Sequence, residues 1–171
     1  VKKKGIYIIG HARHGKDTVA DHLRKLLNYK IESSSHIAMN EFIYPVLKDK
    51  YGYNTPEECY EDRVNHRAEW FNMIVDYNTP DLTALTRLIF SENDAYVGIR
   101  NKNELAASID AGIVSHVIWV DACQRLPEEP TDSMTVGRGD ATYILDNNKG
   151  ESELLVNILM MIQELNLKAK L

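Results

Sequence analysis

The chain is poor in cysteine. Cys59 and Cys123, 64 positions apart in 171 residues, are too few for a disulfide framework and have no metal-ligand spacing. With no secretory signal pattern at the N-terminal end, two thiols in a reducing cytoplasm are expected. No apolar run approaches membrane-spanning length, so no membrane partner is expected. There is no internal repeat and no low-complexity tract. Excess basic charge is lacking too: the net charge is −5, with no basic stripe of the kind that tracks nucleic acid.

What remains, 44% hydrophobic and 26% charged residues, suits one globular domain over residues 1–171 with a core of its own. The charge is unevenly spread. Residues 1–30 hold eight Lys/Arg against two Asp, a local +6, which leaves −11 for the rest. That asymmetry favours a small anionic ligand. Lys2, Lys3 and Lys4 read as solvated surface.

The basic end surrounds the most informative segment. Gly10-His11-Ala12-Arg13-His14-Gly15-Lys16-Asp17-Thr18 matches G-x-x-x-x-G-K, between the strand-like Gly5–Ile9 and a helical pattern carrying Val19, Leu23, Leu26 and Leu27. The glycines let the backbone curl until successive N–H groups and a helix N-terminus face phosphate oxygens, and Lys16 adds a point charge. A plain glycine turn would leave that lysine at a helix start, where the dipole disfavours a cation. A nucleoside triphosphate is therefore expected on Gly10, Arg13, His14, Gly15, Lys16, Asp17 and Thr18. Asp17 stands where Ser or Thr usually meets magnesium, so Asp17 and Thr18 are both metal candidates. Asp17 is open to three roles: helix-start carboxylate, water-mediated magnesium partner, or base.

Downstream, Ser33–Ala38 reads as a short second strand, and a helix over about 40–50 is interrupted by Pro45. Thr55-Pro56-Glu57-Glu58 opens a long helix to about Asp76, with Tyr60, Val64, Phe71, Ile74 and Val75 as its apolar face and Arg67 on that face. A further helix begins near Asp81. Ala95–Ile99 and Ser115–Val120 read as strands flanking a helix capped by Asn101. Residues 121–135, which include Pro127 and Pro130, read as a loop; a last strand (141–145) and a last helix follow. The alternation predicts an α/β fold, a parallel sheet flanked by helices with ligands at the carboxyl ends of its strands. Residues about 40–90 would form a helical insertion that binds an acceptor, and about 121–138 a short lid-like loop.

These residues carry a family likeness. The loop followed by Val19-Ala20 resembles that of bacteriophage deoxynucleoside monophosphate kinases. In those kinases a strand ends in Asp-x-Arg before an Asn-Glu pair, and here Arg100, Asn103 and Glu104 match while Gly98 replaces the aspartate. Asp146-Asn147-Asn148-Lys149-Gly150 is similar to the family's turn near the nucleotide base. The resemblance implies a P-loop kinase fold, ATP with Mg2+, and phosphoryl transfer to a deoxynucleoside monophosphate in an infected bacterial cytoplasm.

Such transfer asks the protein to position two anions and neutralise the charge between them, so arginines and the loop lysine matter most. Lys16, Arg100, Arg125 and Asp17 are the catalytic candidates, Arg125 as a lid arginine. Arg63, Arg67, Trp70 and Arg100 are the substrate-binding candidates, with His66, Trp70 and Tyr44 as stacking surfaces for a base. Arg138-Gly139-Asp140 reads as a turn, and His116 as a packed residue. Two other functions stay open. A hydroxyl on a modified pyrimidine in DNA, or at a polynucleotide end, would need Asp17 or Asp121 as base. Gly98 motivates a nucleotide-binding protein without catalysis. The insertion offers a homodimer surface that no residue pattern demands.

Overall fold

The computed structural model describes residues 3–130 and 134–171; Lys2 and the middle of the expected lid-like loop, 131–133, lie outside them. Five parallel strands, β1 (Gly5–Ile9), β2 (Ile31–Ser33), β3 (Ala95–Val97), β4 (Val114–Asp121) and β5 (Tyr143–Asp146), line up in the order β2-β3-β1-β4-β5. Ile8 pairs with Val97 on one side and Ile118 on the other, so the strand preceding the glycine loop lies at the centre.

Side chains alternate across the sheet with the period of two that a strand imposes. Ile6, Ile8, Ala95, Val97, Ile118, Val120 and Leu145 face helices α1 (Lys16–Leu27) and α8 (Glu151–Glu164), which contribute Val19, Leu23, Leu27, Leu154, Ile158 and Met161. Tyr7, Ile9, Tyr96, Val117 and Trp119 face the other way, onto Leu85, Ile89 and Phe90 of α6 (Ala84–Glu92) and Leu105 of α7 (Lys102–Asp110). With both faces covered, the strands read as near-continuous apolar runs, and the α/β expectation holds.

The insertion departs from its expected outline. Strand β2 stops at Ser33, whose hydroxyl accepts the His36 N–H at 3.2 Å and starts α2 (Ser34–Ala38), so Ser33–Ala38 is not a strand. The helical path then runs through a π turn, Met39–Ile43, into α3 (Tyr44–Tyr51). The irregularity lies upstream of Pro45, which sits in the first turn of α3, where a missing N–H costs nothing.

Thr55 caps α4 (Pro56–Asp62) as expected, accepting from the Glu58 N–H, but the long helix breaks at a 3₁₀ turn, Arg63–Asn65, before α5 (Arg67–Asn78). Asp62 gathers the Tyr53 hydroxyl, the Asn65 amide and the His66 ring, a local cap that competes with helix continuation. The face changes as a result. Val64 and Phe71 are exposed, while Trp70 packs with Cys59, Met39, Ile43 and Leu47 in a cluster of its own. Among the described residues no helix is long and apolar enough to cross a membrane.

Candidate active site

The turn from β1 to α1 uses three left-handed or glycine-only conformations: Gly10 at φ +152°, Arg13 at φ +66° and Gly15 at φ +102°. A Cβ on Gly10 would stand 2.7 Å from the Val120 carbonyl oxygen, and one on Gly15 would run into the Asn147 amide. Both glycines are therefore set by the backbone and by close packing against β4 and the β5–α8 turn.

Lys16 turns back over this curl and donates to the Gly10 and His11 carbonyls, each at 2.9 Å. Burial, then the neighbouring Arg100 charge, lowers its pKa, with Glu129 and Asp17 opposing. Asp17 and Thr18 are exposed on the first turn of α1, where a carboxylate suits the helix dipole.

The side chain of His14, expected among the phosphate-binding residues, turns into the protein. It is fully buried; Nδ1 accepts the Ala122 N–H at 3.1 Å, and Nε2 lies 3.0 Å from the Pro127 carbonyl. Those partners require a proton on Nε2, which donates to Pro127. The imidazole thus ties the glycine loop to the segment after β4. His11 makes a parallel tie, its Nδ1 accepting the Glu129 N–H at 3.0 Å while its ring meets Trp119 edge-on. Asn147 secures the far side, donating to the His14 carbonyl at 2.8 Å.

Glu129 completes the mouth of the loop. One oxygen accepts the Ala12 N–H and the other pairs with Arg100. Burial raises its pKa, but the Arg100 hydrogen bond and charge, with the Ala12 N–H and Lys16, outweigh that and hold it below the ordinary carboxylate value. A loop amide and a guanidinium thus hold one carboxylate, with the Lys16 charge nearby. Arg100 reaches it from the carboxyl end of β3, beyond Gly98 and a buried Ile99, and its own carbonyl accepts the Thr135 and Val136 N–H groups. Gly98 adopts φ +90° and its absent side chain would face open space.

The other arginines are deployed differently. Arg125 donates to the Asn147 carbonyl at 2.8 Å, so it braces the β5–α8 turn instead of reaching over the loop. Arg63 folds onto its own helix, donating to the Tyr60 carbonyl at 2.8 Å with its guanidinium 3.8 Å above the Tyr60 ring. Arg67 is exposed and Arg138 lies 3.8 Å from Asp121. Trp70 is only 5% exposed and cannot serve as an open stacking surface. His66 is held by Asp62 and stacked on Tyr51, and Tyr44 donates to the Asn54 carbonyl.

Among the described residues, two triads of potential metal ligands occur near the loop, His11-Cys123-Glu128 and His14-Asp121-Cys123. In both histidines Nδ1 accepts a backbone N–H, so Nε2 carries the proton and neither ring offers a free lone pair in this arrangement. Burial, then Asp121 and Glu128, push the Cys123 thiol up to about 12. Oxygen donors of the type magnesium takes are present at Asp17 and Thr18.

Motif reading missed that Glu129 closes the mouth of the loop against the Ala12 amide and the His11 ring. The only hint was the Pro127-Glu128-Glu129-Pro130 run, and nothing in it points to an amide 117 positions away.

No family model matches this sequence, and no curated protein matches it. In three dimensions the chain is similar to TT1252 from Thermus thermophilus, with a TM-score of 0.56 and 18% identity over 99% of this chain and 100% of that one. It is also similar to shikimate kinase from Acinetobacter baumannii in complex with shikimate, with a TM-score of 0.53 and 18% identity over 97% and 96%. Shikimate kinase from Aquifex aeolicus gives 0.52 and 16% over 95% and 98%. Identities this low speak to the fold alone: a five-stranded parallel sheet flanked by helices, shared with those structures.

Proposed function

We propose that this protein is a P-loop kinase that transfers the γ-phosphoryl group of ATP to a deoxynucleoside monophosphate. One observation carries the reading: the Ala12 amide and Arg100 hold the Glu129 carboxylate at the mouth of the loop, with the Lys16 charge acting on it. That carboxylate stands in for a phosphate oxygen, so its seat fits an anion lying between the glycine loop and the end of β3.

In this reading the loop amides and Lys16 hold the β- and γ-phosphates, and Arg100 neutralises charge that builds between donor and acceptor. Magnesium, which would be held by the Thr18 hydroxyl and, through water, by Asp17, supplies charge screening on the phosphates. A phosphate acceptor needs no general base. The β5–α8 turn, fastened by Asn147 and Arg125, would border the adenine, and the helices of residues 34–92 the acceptor.

A hydroxyl acceptor, such as one on a DNA pyrimidine, is the second reading. At the carboxyl end of β2, His36 Nδ1 lies 3.0 Å from Glu32, which orients the ring with Nε2 left for a proton.

A coupled ADP-release assay over the four deoxynucleoside monophosphates and a hydroxyl-terminated oligonucleotide tests the proposal. Turnover is expected with at least one monophosphate, and Lys16→Met should remove both turnover and measurable ATP binding. Turnover with the oligonucleotide alone supports the second reading. ATP binding without any turnover means a nucleotide-binding protein without catalysis.

A further inference from the structure

Glu129 lies where a ligand should be. A carboxylate that accepts a loop N–H and pairs with Arg100 uses the same donors a nucleotide phosphate would use. Two anions cannot use the same N–H and guanidinium donors at once, and their like charges repel. The glutamate is also not there by the reach of a free side chain. Its own N–H donates to His11, the Pro127 carbonyl two residues earlier accepts from the fully buried His14, and both histidines belong to the glycine loop. Residues 127–129 thus form a strap pinned across the mouth at three points, two through main-chain atoms and one through the carboxylate.

We infer that Glu129 is a built-in competitor for the nucleotide: the strap docks a phosphate-like carboxylate in the resting protein, and ATP must displace it to bind. This rests on the nucleotide-binding reading above and adds regulation of that same site. The apparent affinity for ATP is then lower than the intrinsic one by the fraction of molecules with the strap released. Displacement also couples nucleotide occupancy to the segment that begins at the end of β4, where Cys123 donates to Glu128, the neighbour of the competing glutamate, at 3.6 Å. Cys123 is exposed and Cys59 buried, so a thiol reagent reports on this segment selectively. Anything that holds the strap away from the loop would activate the protein, and anything that pins it down would inhibit.

The test compares the wild-type protein with Glu129→Gln and Glu129→Ala by titration calorimetry with ATP and magnesium. The variants should bind at least about tenfold more tightly, Ala more so than Gln, because Gln keeps an oxygen for the Ala12 N–H but loses the charge. Equal or weaker binding by both variants, with measurable binding by the wild type, overturns the inference and leaves the kinase reading standing. Absence of ATP binding by all three overturns both. A second measurement needs no variant. Adding ATP and magnesium to the wild-type protein should raise the rate of Cys123 labelling at least about threefold as the strap lifts; an unchanged rate at saturating ATP refutes displacement.

Discussion

Replacing His14 with leucine isolates the cost of unfastening the glycine loop from the segment after β4. Leucine fills much of the space of the imidazole, so the loss is one of hydrogen bonds and not of volume. The Ala122 N–H is buried, and a buried donor left without a partner costs about 1–3 kcal/mol. The Pro127 carbonyl is partly exposed and can turn to water, which adds about 0.5–1 kcal/mol. The sum, about 1.5–4 kcal/mol, is a large share of the roughly 5–15 kcal/mol that holds a domain together. His11→Leu is the control. Its bond from the Glu129 N–H is half-exposed and water can replace it, so the cost should stay below about 1 kcal/mol. Urea unfolding followed by tryptophan fluorescence suits the comparison, because Trp70 and Trp119 are both buried and lie in different clusters. Midpoints are compared at unchanged m. A His14→Leu protein within about 0.5 kcal/mol of wild type, or a His11→Leu protein equally damaged, would refute the argument that His14 is the principal fastener.

Two further outcomes follow from the geometry. Gly15→Ala places a Cβ at φ +102° against the Asn147 amide and breaks its bond to the His14 carbonyl, so stability should fall by about 2–4 kcal/mol and ATP affinity by more than tenfold; wild-type calorimetry would contradict it. Burial pushes the Glu104 pKa up despite its hydrogen bond with Asn78, so the folded protein holds that proton more tightly than the unfolded chain does. The stability this contributes is complete below the ordinary carboxylate pKa and is lost as pH rises through the folded value. Glu104→Gln should therefore stabilise the protein at pH 7 and change little at pH 4; the same effect at both pH values would rule out titration as the cause.

The sequence by itself determined the strand, the glycine loop and the first helix. Each depends on local rules: a glycine every few residues where the backbone must enter conformations closed to other residues, a continuous apolar run before the loop and apolar positions at helical spacing after it. The caps at Thr55 and Asn101 were legible for the same reason, since a cap is decided within three residues. The tertiary structure decided the rest. Whether Trp70 or Phe71 enters the core depended on a helix break made by Asp62 with Tyr53, nine positions away. The role of His14 depended on partners 108 and 113 positions downstream, and the closing of the loop mouth on a glutamate 117 positions from the amide it meets. Contacts of that range are set by how the strands order in the sheet and which loops then meet at their carboxyl ends, and no local pattern of residue types carries that information.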